Sequence, residues 1–381
     1  MFEKTCLSIF FWSFYTLSFA QQAIPWEEVC QSNRCEAIVD VGSSGSRLYI
    51  YAKTPMGQNA WKLAFSKKIT PGLSSISVAQ VDEYFNQLIQ MKPSKPMPIS
   101  VYGTAGMRLL PESQQQQRYQ AVSAWFEQHS EWTLKYARTI TGQEEGVYAW
   151  FAVQEELGSL NKSLKDLNAV IEIGGASAQL SIPISRSEAK GLPAQDVYPV
   201  RWNNQVLYVW SHSYLGLGIN EVEKQFADVA QCFSLGYPLK NGSLGEGDIL
   251  NCIQSLEGSP ELSLISRFGE AKKLVGKHID MPWIALGAIR FSAQNPPYRF
   301  EGQLFNLKQL KEQGNSALCH QDWQSLLQSF GQDPYLYRGC FSASYFYSSL
   351  SNGIGINENQ MIAYPNPNAQ MDWTLGALLL S

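Results

Sequence analysis

VDVGSSGSRLYIY, residues 39 to 51, is a strand pattern interrupted by five residues that are only glycine or serine. Val39, Val41, Leu48, Ile50 and the adjoining tyrosines are β-branched, aliphatic or aromatic, so both flanks favour extended chain. Gly42 and Gly45 let the backbone reverse without a Cβ penalty, and the stretch therefore reads as a β-hairpin. Its small residues fit a second use as well. A turn free of bulky side chains aims backbone N–H groups into one concavity, which suits an approaching phosphate. Taken alone the plain hairpin is sufficient, and the rest of the chain must decide.

Residues 172 to 179, EIGGASAQ, echo DVGSSGSR at 40 to 47: an acid closes an apolar run, then come an aliphatic residue, a glycine, a small-residue turn and a second apolar run from Leu180 to Ile184. Two copies of one hairpin predict two related lobes whose turns face each other across a cleft. Between and around them strands and helices alternate. A third strand covers Trp61 to Ile69, and Ser77 can cap a helix with Val78, Val81, Phe85, Leu88 and Ile89 on one face. PISVYG reads as a buried strand ending at Gly103. A glutamine-rich helix spans 112 to 129, a strand 134 to 140, a helix 143 to 157 and a strand 167 to 173. This alternation predicts an α/β fold with a substantially parallel sheet. Further on, the pattern gives a hairpin over 197 to 210, a loop over 236 to 248, a helix over 262 to 275, a buried strand over 283 to 289 and an aromatic-rich helix closing 334 to 350.

The 381 residues suffice for two to three domain equivalents, and 45% hydrophobic residues leave ample material for cores. A net charge of only -4 excludes a basic footprint for nucleic acid or an anionic membrane surface. Residues 1 to 20 read as a cleaved secretory signal, with Lys4, an apolar run from Cys6 to Phe19, and Ser18 and Ala20 before Gln21. No other run reaches membrane-spanning length, so a soluble exported chain, extracellular or periplasmic, is expected. Beyond Cys6, the six cysteines allow 15 pairings, and sequence neighbours favour Cys30 with Cys35, Cys232 with Cys252, and Cys319 with Cys340. The four histidines are scattered and no CxxC or HExxH occurs, which argues against thiolate or imidazole metal sites.

Two further stretches carry chemistry. In YGTAGMRLL (102 to 110) a small polar turn follows a buried strand, so Thr104 can meet a ligand while Arg108 offers a planar, permanently charged fork suited to phosphate. In TGQEEGVYAW (141 to 150) two glutamates sit at a helix N-terminus, where the macrodipole favours negative charge. Adjacent helical side chains point apart, so one faces solvent and the other the cleft, placed to take a proton from water. Asp40 and Glu172 then approach the cleft from opposite lobes, an arrangement that suits a hard divalent cation. Singly, each of these residues has a structural use, as ion pair, helix cap or hairpin brace.

In this order and spacing the four stretches resemble the conserved regions of the nucleoside triphosphate diphosphohydrolases, the ecto-apyrases. SHSYLGLG (211 to 218) and WTLGAL (373 to 378) extend the resemblance over most of the mature chain. It implies two RNase H-like lobes of the actin, hexokinase and heat-shock chaperone superfamily: residues 21 to 140 with about 365 to 381 as the N-terminal lobe, and 141 to 364 as the C-terminal one. It further implies stepwise hydrolysis of nucleoside tri- and diphosphates with Mg²⁺ or Ca²⁺. The membrane anchors of the animal enzymes are missing here, and a monomer without a stable membrane anchor is expected. By resemblance Glu145 is the catalytic base, while Ser177 and Gln179 orient the attacking water. Ser43, Ser44, Gly45, Ser46, Gly174, Gly175 and Ala176 cradle phosphate, and Thr104 and Arg108 serve the terminal phosphate. Asp40 and Glu172 hold the metal through water, and Tyr345 and Trp373 are the candidates for stacking the base. Glu172 stands where animal enzymes usually have aspartate. Gly45 stands where some cell-surface members have histidine, so GSR is closer to soluble or Golgi-type members; the chain as a whole resembles a soluble, secreted, bacterial-type member.

Other readings are a nucleoside diphosphatase preferring GDP or UDP, a sugar or acetate kinase on the same superfold, and a secreted nucleotide-binding or adhesion module. GQEEG and export speak against the kinase. The 11 tryptophans and 18 tyrosines are the feature that favours the module.

Overall fold

The computed structural model describes residues 25–32, 34–53, 61–367 and 369–380, so the signal expected over 1 to 20 lies outside the described residues. Two mixed sheets organise the chain. The first contains β1 (Arg34–Val41), β2 (Ser46–Lys53), β3 (Trp61–Ile69), β4 (Met97–Gly103) and β5 (Trp132–Thr139), in the order β3-β2-β1-β4-β5. The second contains β6 (Ala169–Ile173), β7 (Ser177–Ile184), β8 (Val197–Trp202), β9 (Gln205–Leu215), β10 (Trp283–Leu286), β11 (Leu304–Phe305) and β12 (Ile362–Ala363), in the order β11-β12-β10-β6-β7-β9-β8.

Without its edge strands β8 and β11, the second sheet repeats the first. β1 is antiparallel to β2 and parallel to β4; β6 is antiparallel to β7 and parallel to β10. The echo between DVGSSGSR and EIGGASAQ is therefore an echo of whole lobes. The sheets are less parallel than the alternation suggested. Short turns join β1 to β2 and β6 to β7, and such turns can only link antiparallel neighbours, whereas the parallel pairs are those with helical crossovers.

Two other expectations change. The strand expected over 283 to 289 ends at Leu286, because Gly287 adopts φ +62° and the chain enters the helix Gly287–Gln294. A Cβ on Gly287 would lie 2.3 Å from the Ile173 carbonyl oxygen, so the reversal needs glycine there. The helix expected over 262 to 275 is two, Leu264–Arg267 and Gly269–Val275, hinged on the buried Phe268. The three disulfides Cys30–Cys35, Cys232–Cys252 and Cys319–Cys340 form as sequence proximity suggested.

The helices Gly142–Glu156 and Trp373–Leu380 join the lobes. A single apolar cluster unites Tyr51 and Tyr102 from the first sheet, Val147, Phe151 and Leu375 from these helices, and Val170 and Leu286 from the second sheet. At Gly376 a Cβ would fall 1.9 Å from the Tyr148 carbonyl oxygen, so the C-terminal helix packs backbone to backbone. Tyr51 Oη and Thr374 Oγ1 share a hydrogen bond of 2.7 Å that pins the end of the chain to β2.

Candidate functional site

The two small-residue turns meet across a cleft. A Cβ on Gly175 would lie 2.5 Å from Ser43 Oγ, and one on Gly106 would lie 2.7 Å from Ser43 Cα. Glycine at these points is what lets three backbone segments converge. The C-lobe turn is backed by the 216–220 segment: Ile219 N–H donates to the Gly174 carbonyl, Asn220 N–H to Gly175 and Gly216 N–H to Ala176. In a trans peptide the N–H points opposite to its C=O, so the N–H groups of Gly175, Ala176 and Ser177 point away from that backing segment. In the N-lobe turn Ser44 is exposed and lines the cleft. Ser46 is fully buried, and its Oγ accepts from Tyr84 Oη at 2.8 Å, which commits the hydroxyl to the interior.

The helix Gly142–Glu156 divides the labour of its two glutamates. Glu144 closes a capping box: its carboxylate accepts from Thr141 N at 2.7 Å, its own N–H donates to Thr141 Oγ1, and Arg138 pairs with it at 2.7 Å. Glu145, one residue on, turns inward and is 8% exposed. Its Oε2 accepts from Arg108 Nη2 at 2.8 Å and from Gln179 Nε2 at 3.1 Å. Arg108 Nη2 also reaches Ser177 Oγ at 3.1 Å, and Gln179 Nε2 reaches Ser177 Oγ at 2.6 Å and Ser213 Oγ at 3.2 Å. Five residues from four distant stretches thus form one network, buried at Glu145, Ser177 and Gln179. Burial raises the Glu145 pKa, the Arg108 guanidinium pulls it back, and the Asp372 carboxylate adds to the rise. Thr104 is buried, and its N–H donates to the Val41 carbonyl at 3.1 Å, which fixes the start of the short helix Ala105–Arg108.

Asp40 and Glu172 occupy equivalent positions near the ends of β1 and β6. Asp40 Oδ1 and Glu172 Oε2 are buried atoms without a hydrogen-bond partner among the described residues. Burial first, then Asp372 and Glu145, hold the Asp40 pKa well above the usual carboxylate range; burial, then Glu145, Asp372 and Asp40, do the same for Glu172. Orphaned carboxylate oxygens facing like charge fit a divalent cation bound with its waters. Among the described residues no three His, Cys, Asp or Glu side chains form a direct ligand set.

Tyr345 and Trp373 do not fit the base-stacking role. Tyr345 is fully buried, stacked near Phe341 and donating to the Leu217 carbonyl at 2.6 Å. Trp373 is buried against Tyr102. Both lie on apolar helices whose rings serve the core.

Several residues escaped the motif reading. A cavity of about 880 Å³ adjoins the turns and is lined in part by Arg47, Lys68, Arg290, Asp372, Phe291 and Tyr335. Register could have found the first two: Arg47 sits directly opposite Asp40 on β2, and Lys68 directly opposite Arg47 on β3. Asp372 accepts from Tyr49 Oη at 2.8 Å and from Thr374 N at 3.0 Å, joining the C-terminal helix to the cleft. Nothing local in the sequence marks Phe291 or Tyr335.

The GDA1/CD39 (nucleoside phosphatase) family model matches residues 27–234. A probable apyrase 5 of Arabidopsis thaliana is 26% identical, covering 90% of this chain and 81% of its own length. The nucleoside-triphosphatase ntp-1 of Caenorhabditis elegans is also 26% identical, covering 90% and 72%. A guanosine-diphosphatase of Schizosaccharomyces pombe is 31% identical over 49% of this chain and 36% of its own. Among solved structures, a nucleoside triphosphate hydrolase from Neospora caninum superposes with a TM-score of 0.54 at 14% identity, covering 91% of this chain and 92% of that one. A Ppx/GppA protein from Aquifex aeolicus gives 0.51 at 14%, covering 91% and 98%. The two-lobed actin-like fold is common to all three.

Proposed function

The chain belongs to the GDA1/CD39 (nucleoside phosphatase) family, and from that premise we propose that it hydrolyses the terminal phosphates of nucleoside tri- and diphosphates, with Glu145 as general base. The observation that carries the mechanism is the Glu145 carboxylate, buried at the cleft and bonded to Arg108 and Gln179, beside two opposed glycine turns.

The phosphate chain lies between the turns, where N–H groups of Gly175, Ala176 and Ser177 face its oxygens and Ser43 and Ser44 close the other side. Ser177 and Gln179 orient a water so that its oxygen faces the terminal phosphorus in line with the departing oxygen. Glu145 takes the water's proton, and no phosphoenzyme forms. Arg108 orients the carboxylate and neutralises charge that grows on the equatorial oxygens. Positioning and charge neutralisation account for most of the acceleration, because phosphoryl transfer asks for little covalent chemistry from the protein. Asp40 and Glu172 are the residues that would hold Mg²⁺ or Ca²⁺. A bound ion would offset the negative charge of bridging phosphate oxygens.

The three disulfides support an oxidising compartment, and among the described residues no helix is long and apolar enough to cross a membrane. Similarity to the guanosine-diphosphatase favours a second reading in which diphosphates are preferred. Phosphate release from ATP, ADP, GDP and UDP, with Mg²⁺ or Ca²⁺ and with EDTA, tests both. Hydrolysis that is abolished by EDTA and by Glu145→Gln is expected. Undiminished turnover in Glu145→Gln would refute the mechanism, and no hydrolysis of any substrate would leave a nucleotide-binding module.

A further inference from the structure

Residues 70 to 76, TPGLSSI, add no side chain to the network around Glu145, yet they lie directly against the N-lobe turn. A Cβ on Gly72 would fall 2.3 Å from the Gly42 carbonyl oxygen and 2.9 Å from that of Ser43. Gly72 has φ -69° and ψ 153°, a conformation open to any residue, so glycine serves close approach there and not backbone freedom. The segment reaches a second part of the site as well. Ser74 Oγ lies 2.9 Å from where a Gly106 Cβ would sit, and the same Cβ would meet Ser43 Cα at 2.7 Å. Gly106 belongs to the short helix Ala105–Arg108, so the segment packs against both the turn and the element that carries Arg108.

The Gly42 and Ser43 carbonyls face Gly72, since their oxygens are the nearest atoms to it. The N–H groups of Ser43 and Ser44, on the same trans peptides, therefore point away from the segment. In the C-terminal lobe the 216–220 segment backs the turn in the same sense, through three hydrogen bonds. The N-lobe turn is backed by contact with a segment that is itself held from its far side. Arg118, buried on the helix Glu112–Glu127, donates from Nη2 to the Ile76 carbonyl at 2.7 Å, from Nε to that of Leu73 at 3.3 Å and from Nη1 to that of Gln114 at 3.2 Å. Tyr84 Oη, which reaches Ser46 Oγ at 2.8 Å, also reaches the Pro71 carbonyl oxygen at 2.7 Å and so ties the segment to the turn. Burying a guanidinium is costly, and an apolar side chain would fill its space with less penalty. What the guanidinium adds is a rigid fork that fixes two carbonyls of the segment at once.

We propose that Arg118 is a positioning residue for phosphate binding. By fixing Leu73 and Ile76 it holds Gly72 against the Gly42 and Ser43 peptides, and so keeps the Ser43 and Ser44 N–H groups aimed at the phosphate chain. The inference rests on the nucleoside phosphatase reading and adds to it the device that sets the aim of the N-lobe turn.

Hydrogen–deuterium exchange is compared among the unsubstituted protein, Arg118→Met, Gly72→Ala and Tyr84→Phe. In Arg118→Met the amides of 42 to 46 and 72 to 76 should exchange about tenfold faster, while those of 174 to 177 keep their rates. KM for ADP should rise about tenfold with kcat changed less than threefold, because the grip on phosphate is loosened and the proton transfer is not. Gly72→Ala should act at least as strongly. Arg118→Lys, which can reach one carbonyl but not two, should recover only part of the loss. Tyr84→Phe keeps the buried ring and loses only the hydroxyl, so it decides the matter even where the other variants fail to fold; the same pattern is expected at about threefold. An unchanged turn, exchange raised alike in both turns, or faster exchange with an unchanged KM would overturn the proposal. If the unsubstituted protein hydrolyses no nucleotide, the hydrolytic reading fails while exchange at the turn still decides the role of Arg118.

Discussion

Equivalent cross-strand rows in the two lobes differ in chemistry. In the N-terminal lobe Asp40 faces Arg47, which faces Lys68 on the third strand; in the C-terminal lobe Glu172 faces Gln179, which faces Ser213. Each row starts from a carboxylate with an orphaned oxygen. The first continues with two cations that line the cavity, and the second with a neutral amide that donates both to Glu145 and to the Ser213 hydroxyl. Duplication thus supplied two jaws of one geometry, and divergence of side chains made one cationic and the other neutral. The difference has a physical reason. Cations suit the grip on phosphate oxygens, but a second full charge beside Glu145 would depress its basicity further and fill the space of its water.

The strongest break of this contrast is Glu145→Gln, which leaves the second row with nothing to orient. We expect kcat to fall about 10³-fold with little change in melting temperature, measured by phosphate release and thermal unfolding. Gln179→Arg gives the second row the chemistry of the first. Turnover should drop about 100-fold, because a guanidinium beside the base competes for its proton-accepting oxygen. The reciprocal Arg47→Gln should act on binding instead, raising KM about tenfold while kcat changes less than threefold, as loss of one charge-assisted contact implies. Equal effects on kcat from both exchanges would show that the rows are not specialised.

The pH dependence sharpens the same point. Glu145 accepts a proton only when ionised, and burial raises its pKa, so kcat should climb with pH through a limb above the ordinary glutamate value. Arg108 lowers that pKa, so in Arg108→Met the limb of the residual activity should move to higher pH. A limb that stays in place would separate Arg108 from the base.

The smallest expected effect concerns stability. Asp40 and Glu172 have folded pKa values raised above their unfolded ones, so between those values the folded state binds more protons. Without metal, stability should therefore be greatest at low pH within that window and decline as pH rises through it. In EDTA at pH 8 the double variant Asp40→Asn, Glu172→Gln should melt a few degrees above the unsubstituted protein, and adding Mg²⁺ should stabilise only the latter. A cation-induced shift that survives in the double variant would relocate the metal site.

Much of this molecule was legible in the chain. Strand-favouring residues marked β1, β2 and β3, the two glutamates marked the N-terminus of the inner helix, and small residues at 42 to 46 and 174 to 177 announced tight turns, because backbone periodicity and turn geometry are local properties. Sequence proximity likewise sufficed for the disulfides. The division between Glu144 and Glu145 was half visible: adjacent helical residues must point apart, but only packing decided which one entered the cleft. Tyr345 and Trp373 failed as stacking residues for the same reason, since an aromatic on an apolar helix does not reveal whether its ring meets core or cavity. Phe291 and Tyr335 lie on separate segments and meet only when the C-terminal lobe closes around them. The sequence by itself determined most of the elements, the duplication and the chemistry of the turns. The tertiary structure alone decided which side chains share the cleft, because exposure and proximity depend on contacts between residues far apart in the chain.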